Sequence, residues 1–180
     1  MVSDMKELWV VRHTAVEVPQ GVCYGGTDVD LKPTFMEEAM EVKKKLKEYH
    51  PDLVLSSPLS RATRLAKAVG YEDAPIDERL REQHFGDWEM KRYDEINDPQ
   101  LKRWYQDYVN EIPTNGESFR QVVERIGNLI EEIRTTPYQR ILVFAHGGIQ
   151  MAVGAYLSLY TLEEAPNHFE GYGSVLKYKL

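Results

Sequence analysis

The strongest constraint on the fold is a run of bulky apolar residues, Leu8-Trp9-Val10-Val11, that ends abruptly at Arg12-His13-Thr14. A segment this short and this apolar reads as a buried strand. Two later runs repeat the pattern. Leu53-Val54-Leu55-Ser56-Ser57-Pro58 leads to Arg61, and Ile141-Leu142-Val143-Phe144-Ala145 stops at His146-Gly147-Gly148. In an open α/β sheet, ligands bind in the crevice outside the carboxyl ends of the strands. Two arginines and two histidines at three such ends therefore predict one anion-binding site.

The segments between these strands carry helical periodicity. Phe35, Ala39, Val42, Leu46 and Tyr49 form one apolar face, while Glu37, Glu38, Glu41, Lys44, Lys45 and Glu48 are left to water. The Lys43–Lys45 run then reads as part of a solvated face. A second helix begins at Ser60, with Ala62, Leu65, Ala66 and Val69 inward, and stops at Gly70. Its N-terminus, close behind a strand, is expected to favour a bound anion. Phe119, Val122, Val123, Ile126, Leu129, Ile130 and Ile133 give the clearest stripe, closed by Pro137. Thr34 with Glu37, and Ser118 with Gln121, have capping-box spacing. The segment from Gly147 to Tyr160 is apolar almost all round, as in a buried helix. Ala74-Pro75-Ile76 reads as a short strand, and Val175–Tyr178 as a last strand after the turn at Gly171-Tyr172-Gly173-Ser174. The expectation is a three-layer α/β sandwich with a mostly parallel central sheet and helices on both faces.

A length of 180 residues suits a single domain over 1–180. Within it, Arg81 to Gly116 interleaves Trp88, Tyr93, Trp104, Tyr105 and Tyr108 with charge and lacks long strands. This insertion is expected to form a lid or pocket wall, or a satellite cluster under a long excursion. Ala15 to Pro33, rich in Gly, Pro and Asp, reads as a loop close to the site.

A net charge of −7 argues against nucleic acid or an anionic membrane surface as partner, so an anionic substrate must be met by local arginine and histidine. Cys23 is the only cysteine, which leaves no internal disulfide and no cysteine-based zinc cluster. Neither a signal-peptide core nor a run of transmembrane length is present, so the expected location is the cytoplasm. His13, His84 and His146 with Asp28 or Glu82 could in principle hold a divalent ion, but no His-x-x-x-His pair supports one and Arg12 would repel it. The expectation is no metal and no cofactor. Gly21 to Gly26 has the glycine spacing of a phosphate loop without its lysine, and no Gly-x-Ser-x-Gly elbow accompanies His146-Gly147-Gly148. Asp28-Val29-Asp30 lacks the preceding strand an aspartyl nucleophile needs, and no arginine follows closely enough on Cys23 to bind a phosphoryl group.

Five ordered motifs remain: Arg12-His13, Ser57-Pro58-Leu59-Ser60-Arg61, Leu80 through Glu89, Gly116-Glu117-Ser118 and Ala145-His146-Gly147-Gly148. Together they resemble the histidine phosphatase superfamily, which includes the cofactor-dependent phosphoglycerate mutases. Within it, the loop from Val18 to Val29, containing Cys23-Tyr24-Gly25-Gly26-Thr27-Asp28, is most similar to the alpha-ribazole phosphatases of cobalamin nucleotide-loop assembly. The resemblance implies a phosphoglycerate mutase-like fold, a small phosphorylated substrate and His13 as a nucleophile that becomes phosphohistidine. Arg12, Arg61 and His146 would surround the phosphoryl oxygens. Glu82 would act as general acid and then base, although Glu89 lies in the same motif. Tyr24, Thr27 and Trp88 are substrate-side candidates, and His84 is expected to be structural. Thr14 and Met90 stand where the family commonly has glycine, and Pro19 falls near the place of a mutase asparagine. These departures weaken a mutase reading and leave phosphatase chemistry intact.

Overall fold

The computed structural model describes residues 5–180. Strands β1 (Glu7–Arg12), β2 (Leu53–Ser56), β3 (Arg140–Ala145) and β4 (Val175–Lys179) form one sheet in the order β2-β3-β1-β4. The first three are parallel, with Val10 opposite Val143 and Leu55 opposite Val143 on its other side, and β4 runs antiparallel to β1. Successive side chains of a strand face opposite ways, so both faces of this sheet must be covered. Leu8 and Val10 of β1 and Ile141 and Val143 of β3 meet helices α4 (Phe119–Thr135) and α5 (Gly147–Tyr156). Val11, Leu142 and Phe144 meet α1 (Phe35–Leu46) and α2 (Ser60–Ala68) on the other face. The result is the expected three-layer α/β/α sandwich.

Local chemistry explains most boundaries. Ser118 caps α4 by accepting from the Gln121 N–H, and the Gln121 side chain accepts in return from the Ser118 N–H, completing the predicted box. The Thr34 box does not form. Its hydroxyl donates to Glu38 (2.7 Å), whose other carboxylate oxygen accepts from the Ala15 N–H, so a tie between loop and helix replaces the cap. Ala74-Pro75-Ile76 reduces to one parallel bridge between Ser56 and Ile76, and α5 ends at Tyr156, four residues short of the apolar run.

The excursion after Arg81 holds a single regular helix, α3 (Pro99–Gln106), begun by Asp98 accepting from the Gln100 N–H. Its apolar residues make a small core of their own, in which Cys23, Trp88 and Leu101 pack with Phe85, Tyr93, Ile96 and Trp104. Among the described residues no helix is long and apolar enough to cross a membrane.

Candidate active site

The carboxyl ends of β1, β2 and β3 bring His13, Arg61 and His146 together as the strand runs predict. His13 follows β1, and its ring lies 5.3 Å from that of His146 at the end of β3, centroid to centroid. Arg61, in the first turn of α2, is wholly buried.

A hydrogen bond fixes the tautomer of His13. The His13 Nδ1 lies 2.8 Å from the Thr14 carbonyl, which can only accept, so Nδ1 carries the proton and Nε2 keeps its lone pair. Burial, then the Arg61 charge, drive His13 down to about 3 against the opposing pull of that hydrogen bond. The imidazole is therefore neutral at neutral pH. His146 Nε2 lies 2.8 Å from the Ser57 hydroxyl, whose oxygen also accepts from the Leu59 N–H. The Ser57 hydroxyl thus holds the His146 ring at Nε2 and leaves Nδ1 without a protein partner among the described residues. Complete burial holds its pKa well below the ordinary histidine value.

Three buried nitrogens around His13 have no protein partner among the described residues: Arg12 Nε, Arg61 Nε and His146 Nδ1. An unpaired buried polar nitrogen is costly, and three in one place, two of them guanidinium donors, mark a site built for an acceptor-rich anion. The guanidiniums are held by their remaining donors. Arg61 donates to the carbonyls of Thr27 (2.8 Å) and Gly25 (2.6 Å), and Arg12 donates to that of Glu170 (2.5 Å). Arg12 is also sandwiched between the rings of Phe169 and Tyr172, at 4.4 and 4.2 Å from their centroids. The N-terminus of α2 behaves differently from expectation. Its Ser60 N–H and hydroxyl both donate to Asp28, so a carboxylate of the chain already occupies that end.

The structure separates the two glutamates of the shared motif. Glu89 accepts from the N–H groups of Gly25, Gly26, Thr27 and Phe85 and from the Thr27 hydroxyl, tying the loop to the excursion. Glu82 instead lines the cleft beside His13, where Oε2 accepts from the Gly148 N–H at the start of α5 (3.0 Å). Gly148 leaves room for this carboxylate, since a Cβ there would lie 2.1 Å from Glu82 Oε1 and would push the side chain aside.

Among the substrate-side candidates, Tyr24 lines the cleft, with its hydroxyl 3.2 Å from that of Tyr172. Thr27 turns its hydroxyl to Glu89 and its carbonyl to Arg61, and so builds the site from behind. Trp88 is a correction: it is 1% exposed in the excursion's core, where its N–H donates to Asp98. The neighbouring Phe85 and Tyr93 reach the cleft instead. His84 accepts from the Gly86 N–H and shapes a turn. The cleft encloses about 200 Å³ and is walled by Val22, Tyr24, Phe85, Tyr93, Met151 and Phe169. Sequence reading missed Phe169 and Tyr172; the available signal was two aromatics in an aperiodic segment just before the final strand. Among the described residues no group of three or more His, Cys, Asp and Glu side chains could hold a metal ion.

Comparison with known proteins agrees with this geometry. The model of the histidine phosphatase superfamily, branch 1, matches residues 8–179. A candidate phosphoserine phosphatase of Hydrogenobacter thermophilus is 29% identical over 97% of this chain and 95% of its own length. The adenosylcobalamin/alpha-ribazole phosphatase of Escherichia coli is 31% identical over 79% of this chain and 74% of its own. The crystal structure of a candidate alpha-ribazole-5′-P phosphatase, also from Escherichia coli, superposes with a TM-score of 0.87 at 28% identity, covering 97% of this chain and 90% of that one.

Proposed function

This chain belongs to the histidine phosphatase superfamily, and from that premise we propose that it hydrolyses α-ribazole 5′-phosphate, without a metal ion, through a phosphohistidine on His13. The observation that carries the mechanism is the His13 tautomer. Its Nδ1–H is committed to the Thr14 carbonyl, so Nε2 keeps a free lone pair on a residue that lines the cleft beside three unpartnered nitrogens.

In the first step Nε2 attacks phosphorus in line and the bond to the ester oxygen breaks. Arg12, Arg61 and His146 meet the charge on the phosphoryl oxygens, and Glu82 gives its proton to the departing alkoxide. In the second, Glu82 as carboxylate takes a proton from water, whose oxygen attacks phosphorus. The P–N bond breaks and inorganic phosphate leaves, restoring His13. The excursion at 81–116 forms a wall of the leaving-group side in this reading.

The shape and chemistry of the cleft support the substrate assignment. Beyond Arg12, His13 and Glu82, its walls are aromatic and aliphatic apart from the amide of Gln83, the backbone of Gly148 and the hydroxyls of Tyr24 and Tyr93. A flat benzimidazole riboside suits such walls, whereas phosphoserine would bring an ammonium and a carboxylate that need charged partners.

The test is phosphate release in excess EDTA from α-ribazole 5′-phosphate, phosphoserine, 3-phosphoglycerate, nucleoside monophosphates and nitrophenyl phosphate. The expected result is a preference for the ribazole ester, with acid-labile phosphate on the protein during turnover. Equal rates across the panel would remove the substrate assignment and keep the chemistry. Activity only after a metal is added would overturn both.

A further inference from the structure

Glu82 lies outside any regular element, in the loop after the single helical turn Glu78–Leu80. A general acid must be placed to within a fraction of an ångström, and a loop does not do this unaided. Behind Glu82, on the side away from His13, the structure holds an arginine–carboxylate pair that the catalytic scheme leaves unused.

Arg125 projects from the long helix α4 and reaches three groups. It donates to Glu117 through Nε (2.7 Å to Oε1) and Nη2 (3.0 Å to Oε2), to the Arg79 carbonyl through Nη1, and to the Glu82 carbonyl through Nη2 (3.4 Å). Glu117 grips the same loop further on. Its N–H donates to the His84 carbonyl (2.8 Å), and its own carbonyl accepts from the Gln83 side chain (2.8 Å). Its Oε2 also accepts from the His84 N–H (3.3 Å). One ion pair thus holds residues 79, 82, 83 and 84, on both sides of the carboxyl group that must be aimed. A fork with fixed donors suits this task, since it binds a carboxylate and two carbonyls at once.

The pair lines a polar cavity of about 440 Å³, and Glu82 contributes to the wall of both this cavity and the catalytic cleft. Glu82 is therefore a partition with its front fixed by the Gly148 N–H and its back fixed by Arg125 and Glu117. The adjoining Gly116 keeps this approach close: a Cβ there would lie 2.6 Å from the His84 carbonyl oxygen.

We propose that Arg125 and Glu117 are positioning residues for proton transfer, acting on the reaction solely through the placement of Glu82. The proposal rests on the reading of Glu82 as general acid and base. Without the pair, the Glu82 peptide loses its tether to α4 and the carboxyl group spends less time aligned with the ester oxygen. Substrate affinity, set by the arginines and the aromatic walls, should change little.

The experiment compares Arg125→Lys and Glu117→Gln with Glu82→Gln on an alkyl phosphate, whose leaving group needs a proton, and on nitrophenyl phosphate, whose leaving group hardly does. Each positioning variant is expected to lower the single-turnover rate of alcohol release from the alkyl ester by about 10- to 100-fold, with substrate affinity changed less than about threefold, and to lower the burst rate of nitrophenol release only slightly, since hydrolysis of the phosphohistidine is common to both esters. In the Glu82→Gln background the same substitutions should cost almost nothing further, because the group they position is gone. Trapped phosphohistidine from nitrophenyl phosphate confirms that each variant is folded. Equal losses on the two esters, or undiminished losses in the Glu82→Gln background, would overturn the positioning role while Glu82→Gln kept its own selectivity. If Glu82→Gln itself were blind to the leaving group, the acid assignment would fall and this proposal with it.

Discussion

The phosphate end and the leaving-group end of the cleft are built by different means. At the phosphate end, His13 and His146 extend the two central strands of a mostly parallel sheet, and Arg61 sits in the first turn of a helix that follows the third parallel strand. All are almost fully buried, and each backbone lies in a regular element or directly at the end of one. At the other end the walls come from loops: Tyr24 from the Ala15–Pro33 stretch, Phe85 and Tyr93 from the excursion, and Phe169 from the segment before β4. Charge stabilisation needs donors that do not move during the reaction, and a sheet supplies them. Selection of an alcohol needs surface that can be exchanged without disturbing those donors, and loops supply that.

Substitutions at the two ends should therefore fail differently. The largest effect is expected of His13→Ala, which removes the nucleophile: turnover of every ester should fall by about 10⁴-fold or more, and labelled substrate should leave no acid-labile phosphate on the protein. Residual phosphohistidine would place the nucleophile elsewhere.

Acid pH should destabilise the phosphate end. His13 titrates near 3 when folded and near 6.5 when unfolded, so in that window the unfolded chain binds the extra proton. Stability is then fully present above about 6.5 and falls with pH toward 3, the His13 share being about 3 kcal/mol between pH 7 and pH 4. Urea unfolding at several pH values should show the slope, and His13→Asn should lessen it, buried His146 keeping a slope of the same sign; an unchanged slope in that variant would disconnect the His13 imidazole from it.

Gly148→Ala probes the seam between the ends. A Cβ 2.1 Å from Glu82 must displace the carboxyl group, and the single-turnover rate of alcohol release from alkyl phosphates is expected to fall about 100-fold while the nitrophenol burst suffers less. On the leaving-group side, Tyr172→Ala removes one of the two rings stacked on Arg12 and the hydroxyl partner of Tyr24. About a tenfold loss of kcat/KM is expected, larger for the preferred ester than for nitrophenyl phosphate. Uniform loss across esters would make Tyr172 part of the phosphate end.

The smallest change is expected at an exposed residue outside the cleft wall. Met90 stands where the family commonly has glycine, and it adopts φ +63°, a left-handed conformation that costs a side-chain-bearing residue. Met90→Gly should raise stability by about 1 kcal/mol or less in thermal unfolding and leave substrate ratios unchanged.

How much of this was legible beforehand follows the same division. The strand runs and the stripes of α1, α2 and α4 were readable because burial imposes a local period on the sequence. Arg12, His13, Arg61 and His146 were readable because they punctuate those runs. Trp88 shows the limit: an aromatic next to a site motif can serve a satellite core as easily as a substrate, and composition does not distinguish them. Thr34 shows another, since Glu38 took the hydroxyl expected to cap α1.

By itself, then, the sequence determined the alternation of strands and helices and the charges at the strand ends, because both are written in residues near one another along the chain. Only the tertiary structure decided that Glu89 ties a loop while Glu82 faces the cleft, that Phe169 and Tyr172 return to cover Arg12, and that Arg125 grips the loop of Glu82 across 43 residues. Those choices depend on which donors meet which acceptors once distant segments pack, and no local period records that meeting.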